Sequence, residues 1–282
     1  MPTRRYAIST HLYVDQRLAR RHLEEVAAHG FDAIELFATR KHFDYHDPAA
    51  IAELGGWLTD TGLALHSMHA PIGDRLPGGE WGPKLSNATT DEAGRARAVA
   101  EASAALDVAR TLPYRFLVVH LGQPDQEHPA AHDNRLDVAR RSIETLHALA
   151  RPLGVTLALE VIPNRIATAD SLVTFIEETL ELRDVGICMD FGHAFLMGDL
   201  LDAVETASGH LATTHVHDNH GKTDEHLVPF GGAINWASAL MGVEKIGYDG
   251  ALVMELAGTM ATGEALAATR RARRRFEQIM GE

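Results

Sequence analysis

Between Thr213 and Trp236 the sequence crowds four His, two Asp and one Glu into little more than one strand and one loop. His215 and His217 are two residues apart, a spacing that puts both side chains on one face of a β-strand. Asp224 and His226 repeat the spacing a few residues later. Imidazole nitrogens and carboxylate oxygens are the donors that divalent cations take, so this stretch reads first as a metal site. An apolar run leads in and Gly231-Gly232 lead out. Asn235 then stands where it could cap a helix starting at Trp236.

The same residue types recur at the ends of other apolar runs. His69 closes HSMH, His120 follows FLVV and Glu160 follows LAL. Asp190 and His193 lie in ICMDFGH, and Glu255 lies in LVMEL. A carboxylate after several apolar residues is costly to bury unless it is paired or bound to a cation. Glu160, Asp190, Glu255 and His215 therefore read as metal ligands. His217 lies about 6–7 Å from His215 along the strand, so one of the two serves as a supporting or substrate-binding group. His69 and His120 are open between ligation and donation to a substrate. His193, Asp224 and His226 fall on loops and are further candidates for either role. Asn164 and Arg165, just past Glu160, could orient hydroxyls or an anionic group of a substrate. Glu35 reads as a polar support of the site, His11 and His66 as satisfied core histidines, and Cys188 as a small buried apolar residue.

These groups need a scaffold that brings distant segments to one point. Short β-type runs at Arg5–Leu12, Ala33–Phe37, Ala64–His69, Phe116–His120, Thr156–Val161, Val185–Asp190, Thr213–Asp218 and Ala251–Leu256 alternate with helix-length amphipathic segments. The junction of helix, Gly and strand recurs at AAHG, TDTG, RPLG and EKIG. Eight strands so separated predict a parallel sheet closed into a single (β/α)8 TIM barrel over residues 1–282. An open doubly wound sheet is the rival, but no G-x-G-x-x-G follows the first strand. A barrel carries its chemistry at the C-terminal ends of its strands, where all the candidate residues fall. Helix caps are expected at Asp15, Asp91, Asp133 or Asn134, Asp170 and Asn235. The loops 70–89 and 121–132 would overhang the same face. The first is Pro- and Gly-rich, as a lid could be, and Trp81 either covers substrate or packs within it.

The 282-residue chain is 45% hydrophobic, enough for one large core, and its formal net charge of −13 speaks against a general attraction to nucleic acid. One Cys excludes an internal disulfide. The first twenty residues lack an apolar leader, and no apolar stretch has the length of a membrane span. A soluble, cytoplasmic protein is expected. The basic run 270–276 reads as a solvated helix face.

The motifs GFDAIEL, MHAP, VVHLG, LEVIPN, MDFGHA, HVHDN and LVMEL resemble, in order, those of the xylose isomerase-like TIM-barrel superfamily, which includes ketose 3-epimerases and the endonuclease IV family. The resemblance spans nearly the whole chain. It implies one divalent ion, Mn, Co, Zn or Mg, held by Glu160, Asp190, His215 and Glu255. His215 is matched rather than His217 because the family pattern is His-x-x-Asp/Glu and Asp218 follows His215 by three. It further implies that Glu160 and Glu255 form a catalytic acid/base pair acting on a small sugar-like substrate. A homo-oligomer would also fit such relatives. The endonuclease IV branch holds three zinc ions. His69, His120, His193, Asp224 and His226 offer a match for each additional ligand there, which implies up to three ions and phosphoester hydrolysis as the alternative. One departure stands out: PFGGAINW has Phe230 and Asn235 where many sugar-active relatives resemble PGxGxIDW.

Overall fold

The structure is a computed structural model that describes residues 4–74, 80–180, 182, 184–258 and 260–281. Residues 75–79, the centre of the expected lid, lie outside the described residues, as do the ends of the 1–282 span. Eight parallel strands form the closed order β1 to β8. They are β1 (Tyr6–Ser9), β2 (Ala33–Phe37), β3 (Ala64–His69), β4 (Phe116–Val119), β5 (Thr156–Glu160), β6 (Val185–Asp190), β7 (Leu211–Val216) and β8 (Leu252–Met254). The barrel closes where Tyr6, Ala7 and Ile8 pair with Leu252, Val253 and Met254.

The helices are α1 (Arg20–Ala28), α2 (Pro48–Thr61), α3 (Glu92–Asp107), α4 (Leu136–Ala150), α5 (Ala169–Thr174), α6 (Phe191–Met197), α7 (Leu200–Thr206), α8 (Trp236–Lys245) and α9 (Thr262–Met280). The repeated helix–Gly–strand corner is present: Gly30, Gly62, Gly154 and Gly247 have φ of 81°, 72°, 70° and 71°. That left-handed conformation costs Gly nothing sterically, so the chain reverses into the next strand without strain.

Strand alternation divides the core in two. Tyr6 and Ile8 pack in the large cluster between sheet and helices, whereas Ala7 joins Ala33, Ala251 and Val253 in a separate small cluster. Phe116, Val118, Ala158 and Cys188 form another. Continuing the period of two from these inner positions leads to Glu35, His120, Glu160, Asp190 and Glu255. The polar centre is therefore the top layer of the barrel interior, resting on apolar layers below. Register shifts fall between Ile34 and Glu35 and between Ile187 and Cys188, just before two of its carboxylates. Such irregularities re-aim the side chains that follow.

Several boundaries differ from expectation. The first strand stops at Ser9 and continues as a 3-10 turn, Thr10–Tyr13. Strand β7 ends at Val216, so His217 and Asp218 lie just beyond it. Asp91 and Asn235 cap α3 and α8 as predicted. The cap at Asp15 is not formed, because α1 starts only at Arg20. Thr168 rather than Asp170 caps α5. Neither Asp133 nor Asn134 caps α4: Asp133 accepts from Ser86 and Gln123, and Asn134, at φ 52°, bonds the main chain of Gln123. These polar residues tie the two long loops together instead of starting the helix.

Candidate metal centre

Glu160, Asp190 and Glu255, which end or follow β5, β6 and β8, are all nearly inaccessible to solvent. His215 on β7 stands between them. Its Nδ1 is 3.1 Å from Glu160 Oε1, 3.3 Å from Glu255 Oε2 and 3.8 Å from Asp190 Oδ2. Its Nε2 lies 3.0 Å from Glu35 Oε1, and Glu35 also accepts from Ser67 Oγ. A carboxylate cannot donate, so both ring nitrogens of His215 carry hydrogens here; Glu35 holds the one on Nε2, which leaves Nδ1 as the nitrogen that would give up its proton to a cation. The four candidate ligand atoms lie within 4.8 Å of one another.

Glu160 faces two ways. Its second oxygen lies 3.0 Å from His69 Nε2 and 2.9 Å from His120 Nε2. A second set gathers beside it: Asp224 Oδ2 is 3.0 Å from both His193 Nε2 and His226 Nε2. His193 Nδ1 reaches back to within 3.3 Å of Asp190. Asp224 Oδ1 is buried without a hydrogen-bond donor. Three inaccessible carboxylates around one imidazole, next to an acceptor with no donor, are a donor set suited to a cation.

His217 takes a different part. Its Nε2 contacts both oxygens of Asp190, at 3.0 and 3.1 Å. Its ring lies flat on that of His226, with centroids 3.9 Å apart and planes inclined by 13°. One cation cannot lie in the planes of two rings stacked face to face. In this arrangement His217 steadies Asp190, while His226 serves the neighbouring set. Gly192 makes the stack possible, since a Cβ there would run into the His217 ring.

The loop carrying Asp224 and His226 is organised by Asp218. The buried carboxylate of Asp218 accepts from the main-chain N–H of Asn219, Phe230 and Ile234 at 2.9, 2.9 and 3.1 Å, and from Trp236 Nε1 at 2.8 Å. A bridge between Asp218 and Leu227 folds the loop back on itself. Phe230 keeps a left-handed φ of 71°. Its ring packs against Trp236 and Phe276 beneath the Arg275 guanidinium, contacts that offset the strain.

In the metal-free protein protons occupy this network. Burial alone would lower the pKa of His193, but the charge of Asp190 and the bond to Asp224 outweigh it and raise it to about 10. Burial likewise opposes, and Asp224 overcomes, a rise of His226 to about 9. Burial would raise the pKa of Asp224, yet His226 and His193 hold it far below the usual carboxylate range. A cation binding there must displace the protons of His193 and His226. Its apparent affinity is expected to climb with pH from neutrality toward about 9–10. The histidine contribution to metal-free stability, in contrast, is complete below pH 6.5 and fades as pH rises through 9 and 10. Metal titrations across this range check the first trend; a pH-independent affinity would show that these imidazoles do not take the ion.

A cleft opens above the centre. Glu160, His193 and Asp224 contribute to it from below, and His11, Phe37, Ile72, Lys84 and Gln123 line it from strand ends and loops. Lys84 pairs with Glu127 at 2.7 Å, joining the loops after β3 and β4. The pattern of apolar runs with polar ends did not single out these loop residues; only their position after β3 and β4 pointed to them. Asn164 lies below the cleft wall, with its amide donating to the carbonyls of Leu121 and Gln123 and accepting from Ile166. Arg165 is exposed and borders a separate depression with Arg135 and Arg140. Trp81 packs edge-on toward Phe37. His66 approaches Thr213 Oγ1 at 3.3 Å, and Cys188 is buried.

Fold and site together define a (β/α)8 barrel whose C-terminal face holds a buried histidine–carboxylate centre. The profile of the xylose isomerase-like TIM barrel family matches residues 23–278, and the chain belongs to that family. It is similar to the uncharacterized protein MJ1311 of Methanocaldococcus jannaschii, with 28% identity over 89% of this chain and 83% of that one. The D-psicose 3-epimerase of Ruminiclostridium cellulolyticum is 29% identical over 83% of this chain and 76% of its own. A crystal structure of a D-tagatose 3-epimerase-like protein superposes with a TM-score of 0.81 at 25% identity, covering 98% of both chains. Among the described residues no helix is long and apolar enough to cross a membrane.

Proposed function

We propose that this chain is a divalent-metal-dependent isomerase or epimerase acting on a sugar or sugar-like polyol. The observation that carries the reading is the convergence of Glu160 Oε1 and Glu255 Oε2, from β5 and from just past β8, on the single nitrogen His215 Nδ1. The ketose 3-epimerases among the similar proteins support the same chemistry. Glu160, Asp190, His215 and Glu255 would hold the ion. When bound, it supplies electrophilic polarisation of a substrate carbonyl and its neighbouring hydroxyl.

The two glutamates do the proton work. One, as a carboxylate, would remove the proton on the carbon beside the carbonyl, giving an enediolate, and the other, entering the step in its acid form, would give its proton to that carbon, so that the two exchange protonation states. His69 and His120 hold the outer oxygen of Glu160, which keeps its inner oxygen directed at the centre. Glu35 orients His215 and His217 orients Asp190. Burial excludes bulk water from the enediolate.

A second reading, phosphoester hydrolysis by a multi-zinc centre, is favoured by one observation: His193, Asp224 and His226 gather as a second candidate set beside the first, with Asp224 Oδ2 3.0 Å from both imidazoles. Metal content per chain, measured together with product formation, separates the two. One ion and epimerisation of a ketose are expected. Two or three ions, with cleavage of phosphodiesters and no action on sugars, would replace the first reading by the second.

A further inference from the structure

His11 was expected to be a satisfied core histidine, and the structure places it elsewhere. It follows β1 in the 3-10 turn Thr10–Tyr13, above the level of Ser9, and its ring reaches the chain just past β8, next to Glu255. The ring is half-buried and lines the cleft. Nδ1 sits 3.1 Å from the carbonyl oxygen of Leu256. A carbonyl only accepts, so Nδ1 carries the hydrogen and the ring is tethered through it. The faces are held by Phe37 and His226, with centroids at 4.8 and 5.1 Å. Nε2 has no protein partner among the described residues, and it is not among the buried polar atoms. A polar atom oriented by a tether and two flanking rings, open to a cleft and left without a partner, is built to meet a ligand.

We infer that His11 is a specificity-determining residue whose Nε2 hydrogen-bonds a substrate hydroxyl on the Glu255 side of the centre. This rests on the sugar-active reading above. A hydroxyl both donates and accepts, so it satisfies this nitrogen whichever way the proton lies. An apolar or deoxy carbon at that place would leave Nε2 desolvated and unpaired, which is how a polar site rejects an analogue lacking the group. His11 takes no part in the proton transfer itself.

Two variants separate the tether from the reading atom. In His11→Asn the amide nitrogen overlays Nδ1 and can keep the bond to Leu256, but nothing reaches the place of Nε2. In His11→Gln the longer amide reaches that place. The protein is loaded with Mn, its metal content is measured, D-glucitol and ribitol are titrated by calorimetry, and ketose epimerisation is followed. His11→Asn is expected to keep its metal, bind the better alditol about tenfold more weakly and raise KM by a similar factor, with kcat within about twofold. His11→Gln recovers most of the affinity. Wild-type affinity and KM in His11→Asn would overturn the assignment while the wild type still epimerises. Loss of metal in both variants would also overturn it, making His11 a prop for His226. A wild type that neither binds alditols nor epimerises ketoses would remove the functional reading, and this inference with it.

Discussion

Replacing Glu160 by Gln lowers turnover by about 1,000-fold or more at saturating metal, and the barrel still folds. The substitution preserves shape but removes the negative charge at the point where His69, His120 and His215 meet. An amide cannot take a proton from carbon, and its NH2 group opposes one of the imidazole donors. Burial raises the pKa of Glu160, but His120 and His215 outweigh it and hold it well below the ordinary value, so the wild-type group is a carboxylate throughout the neutral range. Stopped or discontinuous assays with metal in excess distinguish lost chemistry from lost metal. Circular dichroism should show an unchanged barrel. Retained turnover would take Glu160 out of the mechanism, whatever the metal content.

Replacing Asp218 by Ala has the largest expected effect on stability, about 4 kcal/mol, or a fall in Tm of about 10 °C. Three main-chain N–H groups and the Trp236 indole lose their acceptor together. Each of these is a hydrogen bond to a charged group, and a buried donor left alone costs more than an average bond contributes. The freed loop also carries Asp224 and His226, so metal affinity of the second set should fall beside the melting temperature. Asp218→Asn separates shape from charge: it presents an NH2 group to the same N–H donors and should recover only part of the loss. A thermal scan within about 2 °C of wild type for Asp218→Ala would show that the loop is held by its apolar contacts instead.

The barrel and the inward positions of its candidate ligands were legible because both follow from periodicities. Alternation put Glu160, Asp190, His215 and Glu255 on inward positions, and apolar neighbours marked each strand as buried. Residues whose role depends on a partner far along the chain were not legible in the same way. His215 and His217 have one spacing and one face; the ring of His226, delivered by a folded-back loop, distinguishes them in space. Asn164 follows the site closely in sequence, yet the carbonyls of Leu121 and Gln123 take both of its amide hydrogens. Asp133 and Asn134 look like helix caps until the loop beside them supplies other partners. His11 was misjudged because the sequence does not reveal that β1 stops at Ser9 and turns, opening a ring that a longer strand would have enclosed.

The pairing of β1 with β8 bears on when the centre can exist during the life of the chain. Glu255 follows the last strand of the barrel, and α9 comes after it. A ribosome must therefore have made the chain through Glu255 before the four candidate ligands can assemble, and the closing contact joins the first strand of the barrel to the last. Contacts of such long sequence separation form late. A cation held by all four residues could not nucleate the early steps of folding. An ion held there would instead reward completion: chains broken off before Glu255 would be poor chelators, and retained metal would mark a closed barrel.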